Sequence, residues 1–279
     1  QYVNDNLDDA VFHFEKIKNN PKYNKIVPLY LLQIDFDKGN YEAVTQSCDK
    51  VYILADKRRK SDVALMAAES WFQLKDYAKS LEYFNMAREN SKRAFPREVE
   101  FRIGFCKMKT GDYEGAIDNF QNAVKSDEDQ LTQFASYYLA QCYINTQQEK
   151  FARNAFLKAY KVNIDREISE DALFNYAKLS FIPGVDPFNE AVAQLNEYIT
   201  KYPDSKRRPE AQELVIHLLL NSKDYDGALK TLEQYPRLTP ELEKIYAQLN
   251  YNLGMQYYND MDYDKAVVYL TKVNSGRGA

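Results

Sequence analysis

A short pattern of apolar positions recurs along the chain and is clearest in GDYEGAIDNFQNAV at residues 111–124. A large residue, often aromatic, is followed at offsets of three, seven and ten residues by further apolar residues. These offsets lie on one face of an α-helix, so each occurrence predicts an amphipathic helix. The pattern starts at eight positions, which are Leu7, Tyr41, Tyr77, Tyr113, Glu149, Phe188, Tyr225 and Tyr263.

The spacing between successive starts is 34 to 39 residues, which leaves room for another helix ahead of each one. Self-similarity with a period in this range is typical of stacked helical hairpins. The position at offset three is Ala in six of the eight occurrences. A side chain this small lets two helices touch, so we expect close contact between the two helices of each hairpin.

These residues resemble the tetratricopeptide-repeat family, in which a small residue and a short turn precede Tyr–x–x–Ala–x–x–x–Phe–x–x–Ala. Gly104, Tyr113, Ala116, Phe120 and Ala123 carry the match best. The resemblance implies an all-α fold, a right-handed superhelical solenoid of antiparallel helical hairpins with about 15 helices. It covers 1–279 as one array, interpreted as a fragment of a longer one. The array has a half repeat at 1–21 and repeats that start near residues 24, 61, 97, 131, 170, 208 and 241.

One linker, NEYITKYPDSKRRPEA at 196–211, is similar to linkers of envelope-associated bacterial repeat proteins. The outer-membrane-assembly lipoprotein and the Tol–Pal accessory protein belong to that group. This similarity implies the periplasm or cell envelope. Three cysteines without a CxxC pair instead favour a reducing compartment such as the cytoplasm. The localisation therefore stays open at this point.

Sequence motifs for catalysis are absent, since the chain has no GxSxG, HExxH, P-loop or GxGxxG pattern. It holds two histidines, and its cysteines Cys48, Cys106 and Cys142 have no metal-ligand spacing. We therefore predict a protein that is not an enzyme, with no catalytic residue, no metal site and no cofactor. We interpret the cysteines as small buried side chains. No apolar run approaches the roughly 18 residues of a membrane span.

Charge gives little support for nucleic-acid binding, because the formal net charge is −4. Two basic clusters, KRRK at 57–60 and KRR at 206–208, lie in turns or at helix starts. No aromatic residues alternate with them, as they do in many nucleic-acid sites. We interpret both clusters as solvated turns and predict no nucleic-acid partner.

The family resemblance implies that the first helix of each repeat lines a concave surface where partners bind. The positions carried over are mainly apolar and aromatic, which is typical of a surface that binds a peptide. Packing within the repeat is the alternative interpretation of the same side chains. The candidate binding residues are Phe36, Phe72, Phe101, Phe105, Met108, Phe134, Tyr137, Gln141, Ile144, His217, Tyr251 and Met255.

We therefore predict a protein-interaction scaffold that binds a partner peptide or protein segment in an apolar and aromatic groove. Two alternatives remain open from the sequence. One is binding of an envelope glycan or lipid along the aromatic face, and the other is an accessory repeat module of a larger enzyme or regulator. Because both ends cut through repeats, we also expect end-to-end self-association of the fragment.

Overall fold

A computed structural model of the chain describes residues 7–124, 129–180, 188–233, 237–238 and 240–275. Within these ranges the regular structure consists of fifteen α-helices. The predicted all-α fold of helical hairpins is thereby confirmed. The helices are α1 Leu7–Ile17, α2 Val27–Asp37, α3 Tyr41–Leu54, α4 Lys60–Gln73, α5 Tyr77–Asn90, α6 Arg97–Lys109, α7 Tyr113–Ala123, α8 Gln130–Asn145, α9 Glu149–Val162, α10 Arg166–Ser180, α11 Phe188–Lys201, α12 Arg208–Ser222, α13 Tyr225–Glu233, α14 Pro240–Asn259 and α15 Tyr263–Ser275.

Every occurrence of the sequence pattern begins a helix at its first residue. These helices are the odd-numbered ones, from α1 at Leu7 to α15 at Tyr263. The even-numbered helices are the first helices of the hairpins. Among the described residues, no helix is long and apolar enough to cross a bilayer.

Contacts between Cα atoms divide the chain into two compact units, Gln1–Thr146 and Gln147–Ala279. Unit 1 contains α1 to α8, and unit 2 contains α9 to α15. In unit 1 each helix packs on the next in chain order, while α2 also contacts α4 and α6 also contacts α8. The first helices of unit 1 are therefore neighbours of one another. A single continuous array over 1–279 stays a prediction.

The small residues of the pattern lie where the helices of a hairpin meet. The residues at offset three are all buried: Ala10, Val44, Ser80, Ala116, Ala152, Ala191, Ala228 and Ala266. On the facing helix, a Cβ atom placed on Gly104 would lie 3.1 Å from Cδ1 of Phe120. One placed on Gly254 would lie 2.7 Å from Cγ of Leu270. The predicted close approach of the two helices is confirmed.

Turns between the paired helices are built in the same way in several repeats. Asp76, Asp112, Asp224 and Asp262 each accept a hydrogen bond from the backbone N–H three residues later, at 2.8 to 3.2 Å. Such an N-cap is worth about 1 kcal/mol. The residue two positions before the helix has a positive φ in all six described turns: Gly39, Lys75, Gly111, Gln147, Lys223 and Met261. This left-handed residue reverses the chain direction.

An ion pair joins three consecutive helices in unit 1. The guanidinium of Arg97 on α6 donates to both carboxylate oxygens of Asp129, at 2.6 and 2.9 Å. It also donates to the carbonyl oxygen of Ala123 at the end of α7 and to the hydroxyl of Thr132 on α8. Hydrogen bonds from Arg97 and from the Thr132 N–H lower the pKa of Asp129 to about 2. The carboxylate is therefore held in its charged form.

Enlarging a residue at the hairpin contact is expected to destabilise the fold. We predict that Ala116→Leu lowers the free energy of unfolding by roughly 3 kcal/mol, because the fully buried site has no room for the larger side chain. Urea denaturation followed by circular dichroism measures this. Ala78→Leu is the matched control, since Ala78 is exposed on α5, and its stability should be nearly unchanged. Equal loss in both variants would contradict close packing at Ala116.

Acid should remove the stabilisation that comes from Asp129. Its pKa is lower in the folded chain than in the unfolded chain, so its contribution is complete above the unfolded value of roughly 3.9 and is lost as the pH falls towards 2. We predict that Asp129→Asn is less stable than the wild type at neutral pH. The difference should shrink between about pH 5 and pH 2.

Urea denaturation across this pH range, at low salt, checks the prediction. Asp260→Asn is the control, because Asp260 is exposed and makes no ion pair within the described residues. A difference between the wild type and Asp129→Asn that did not change with pH would contradict a charged role for Asp129.

Candidate functional site

A cavity of about 550 Å³ opens in unit 1 between α4, α6 and α8. This volume falls within the range of small-ligand pockets. Aromatic rings supply most of its wall, and polar groups are confined to a few positions. The lining residues are Phe72, Gln73, Lys75, Tyr77, Phe101, Phe105, Gln130, Leu131, Phe134 and Tyr138.

The wall follows from how neighbouring first helices stack. Phe101 and Phe105 are four residues apart, so both project from the same side of α6. The ring of Phe105 lies 5.7 Å from that of Phe72 on α4 and 5.1 Å from that of Tyr138 on α8. It also meets Tyr77 edge-to-face at 5.5 Å. Phe105 is thus the centre of an aromatic cluster drawn from four helices.

The aromatic wall is anchored in the buried core of unit 1. Phe101 and Tyr138 contact Phe120 on α7, at ring-centroid distances of 5.7 and 6.1 Å. Phe120 is fully buried and packs against Gly104. Burial raises the pKa of the Tyr138 hydroxyl, which therefore stays neutral at physiological pH. Because its wall is fixed by packing, the cavity is preformed.

Two lysines lie beside the cavity. Lys75 lies in the turn between α4 and α5 and lines the mouth, while the ammonium of Lys109 lies 5.2 Å from the ring centroid of Phe105. Neither lysine forms an ion pair with any described residue. The nearby carboxylate of Glu69 is paired with Arg102 at 2.7 Å. Two ammonium groups that pair with no described carboxylate therefore lie beside an apolar floor.

Four predicted binding residues line this cavity: Phe72, Phe101, Phe105 and Phe134. Of the remaining predicted residues in unit 1, Phe36, Tyr137 and Gln141 are partly buried outside the cavity lining, and Ile144 is exposed. Met108 is only 8% exposed and lies beneath the surface. Its unbranched side chain can fill a gap in the core.

Three predicted binding residues belong to unit 2. His217 and Tyr251 are exposed and Met255 is partly buried. Tyr251 lies one turn before Met255 on α14, so the two share one side of that helix. This stripe ends at Tyr258, whose ring packs edge-to-face on that of Tyr263 at 5.6 Å.

Sequence reasoning missed Tyr138, Leu131 and Tyr77. The candidate residues were chosen at equivalent positions of each repeat, and these positions lie on the same face of every first helix. A cavity between helices instead uses the flank of α8 that faces α6, which carries Leu131, Phe134 and Tyr138. Tyr77 was interpreted as a packing residue only, although it also lines the cavity.

Two features of the described residues concern metal binding and thiol chemistry. No group of three or more His, Cys, Asp or Glu residues there could hold a metal ion. The three cysteines are unpaired and buried, as predicted. Burial raises the pKa of the Cys106 thiol to about 11 and that of Cys142 to about 12, so both stay protonated and unreactive.

Comparison with known proteins identifies the repeat. Residues 98–129, which span α6 and α7, match the family model described as tetratricopeptide repeat. Among curated proteins, none matches the sequence significantly. None of the findings supports the similarity of residues 196–211 to envelope-associated repeat proteins.

Solved structures share the fold at low sequence identity. One is YrrB, a tetratricopeptide-repeat protein described as having an unusual peptide-binding site, with 16% identity and a TM-score of 0.55 over 76% of this chain and 97% of that chain. Another is the C-terminal part of a repeat protein from Cytophaga hutchinsonii, with 13% identity and a TM-score of 0.54 over 83% and 90% of the two chains. The chain therefore has the fold of a tetratricopeptide-repeat protein, and residues 98–129 carry that family's sequence signature.

Proposed function

We propose that the chain is a non-catalytic scaffold that binds a partner protein by holding a bulky apolar side chain of a peptide segment in the aromatic cavity. The observation that carries this proposal is a preformed cavity of about 550 Å³ lined by six aromatic rings. Proteins with this repeat fold generally bind other proteins or peptides. YrrB shares the fold and is described as having a peptide-binding site, so a peptide is the first class of partner to test.

The two lysines beside the cavity indicate which type of peptide side chain it binds. Aromatic rings attract cations, so an aromatic cavity on its own would suit a lysine or a methylated lysine. Lys75 and Lys109 at the mouth oppose that choice, because a ligand cation would approach two like charges. A neutral Phe, Leu or Met side chain suits the floor, and an acidic residue next to it in the peptide suits the mouth.

Ring exposure in unit 2 gives some support to the glycan alternative. Tyr251 is 48% exposed and Tyr258 is 53% exposed on α14. Exposed tyrosine faces can stack on sugars. Binding of a soluble oligosaccharide that Tyr251→Ser abolishes, with the cavity unaltered, would favour that alternative over the peptide.

End-to-end association of this chain also stays a proposal. On α15, Val267 and Val268 are exposed, and exposed apolar surface of this kind favours association. Light scattering over a range of concentrations measures it, and a monomer at every concentration would contradict it.

The peptide proposal predicts that a change inside the cavity weakens binding. A random peptide display library selected against the full chain should enrich Phe, Leu or Met beside Asp or Glu. A labelled peptide from that selection should bind Phe134→Ser at least roughly tenfold more weakly than the wild type, measured by fluorescence anisotropy, because a cavity-filling contact is lost. Phe134 lines the cavity at the edge of the aromatic cluster, so this change spares the contacts of Phe101 and Phe105 with the core.

Ile164→Ser is the matched control, since Ile164 is an exposed apolar residue of unit 2. It should leave the affinity unchanged. Circular dichroism of both variants shows whether they fold. Peptides that bind Phe134→Ser as tightly as the wild type would place the binding site outside the cavity and overturn the proposal.

A further inference from the structure

A second surface of unit 1 brings together two turns that are far apart in the sequence. One follows α1 and contributes Lys22, Tyr23, Lys25 and Ile26. The other runs from the last turn of α3 to the first residue of α4 and contributes Ile53, Leu54, Lys57, Arg58, Arg59 and Lys60. We call these residues of the two turns together the basic edge. The turns meet around a recess of about 280 Å³, lined by Lys22, Lys25 and Ile26 from the first and Leu54, Asp56 and Arg59 from the second.

Charge on the basic edge is opposite in sign to that of the whole chain. Residues 22–26 and 53–60 hold six Lys or Arg residues against one Asp, whereas the formal net charge of the chain is −4. None of the six cations of the basic edge forms an ion pair within the described part of the chain. The Asp56 side chain is engaged in accepting hydrogen bonds from the N–H groups of Arg58 and Arg59. Lys22, Lys25, Lys57 and Arg58 are exposed, and Arg59 and Lys60 are partly exposed.

Apolar side chains protrude among these cations. Ile53 is 77% exposed in the last turn of α3, and Leu54 beside it is 40% exposed. Tyr23 and Ile26 are exposed on the neighbouring turn. Apolar residues that stand out of a basic surface suit an interface that is itself apolar below a layer of negative charge.

Nucleic acid fits this surface poorly, because its aromatic faces are already covered. The ammonium of Lys60 lies 4.7 Å from the ring centroid of Tyr52, and that of Lys22 lies 5.4 Å from that of Tyr23. Bases would need those faces for stacking.

A small ligand held in the recess also fits this surface poorly. The recess is smaller than the usual range of ligand pockets, which begins at about 300 Å³, and Ile53 projects into solvent instead of lining it.

We propose that the basic edge docks unit 1 on an anionic membrane surface. The cations lie against the negative headgroups, and Ile53 and Leu54 enter the boundary between headgroups and acyl chains. Clusters of four to eight Lys or Arg residues are typical of proteins that bind acidic lipids. The site is separate from the aromatic cavity, so either function can hold without the other.

Vesicle co-sedimentation of the full chain tests the proposal. The probes are vesicles of phosphatidylcholine alone and vesicles in which about a third of the lipid is phosphatidylserine. We expect the chain to pellet with the acidic vesicles only and to be released by high salt, because salt screens surface charge. A variant in which Lys22, Lys25, Lys57 and Arg58 are all changed to Gln should bind the acidic vesicles at least roughly tenfold more weakly.

A matched variant changes Lys92, Arg93, Lys150 and Lys161 to Gln, which removes the same charge from exposed positions elsewhere. It should bind like the wild type. Ile53→Ser should weaken binding to acidic vesicles, whereas Val267→Ser, an equally conservative change at an exposed valine of α15, should not. Circular dichroism of all variants establishes that they are folded.

Three results would overturn the proposal. One is failure of the wild type to bind acidic vesicles at low salt. Another is equal loss of binding in both four-site variants, which would mean that overall charge and not the basic edge is responsible. The third is tighter binding to soluble polyglutamate than to acidic vesicles at an equal concentration of charge, which would favour an acidic polypeptide over a membrane as the partner. Full binding by Ile53→Ser would contradict the insertion of Ile53.

Discussion

Close contact between the two helices of each hairpin is the constraint on which the rest of the structure depends. At Gly104 the facing helix is so near that even a methyl group would press on the ring of Phe120. That ring, fully buried, in turn supports Phe101 and Tyr138 of the cavity wall. Most residues that make the repeat recognisable therefore act through packing. They hold in place the aromatic side chains that line the cavity.

Helix positions could be predicted from the sequence because they depend on local chemistry. Each second helix starts at the predicted residue, and in four of them the apolar period and an Asp at the N-cap specify the same boundary. The binding surface was predicted less well. Phe101 and Phe105 were found because the cavity uses the central face of α6, while Tyr138 was missed because α8 contributes its flank. The stacking of neighbouring helices decides which side of α8 faces α6, and the sequence of one helix does not determine that stacking.

Contacts between turns that are far apart in the chain could not be predicted from the sequence either. KRRK at 57–60 on its own is an ordinary solvated turn. Only folding places Lys22 and Lys25 beside it and sets Ile53 out into solvent. Two surfaces of different chemistry thus occur on one small unit. The aromatic cavity suits a side chain that must be desolvated, and the basic edge suits a surface that stays hydrated.

The left-handed residue of each turn is a position at which one repeat can differ from the next. The chain reversal fixes the backbone conformation of this residue, while its side chain takes no part in packing. The residue type can therefore vary, and any residue other than glycine lowers the free energy of unfolding by about 1 kcal/mol. In unit 1 this position reads Gly39, Lys75 and Gly111 in successive hairpins. A Cβ atom added at Gly111 would meet no atom within 4 Å. Lys75 therefore places a charge where the neighbouring hairpins of unit 1 have glycine, so a single hairpin can carry a charge beside the cavity without any change in helix packing.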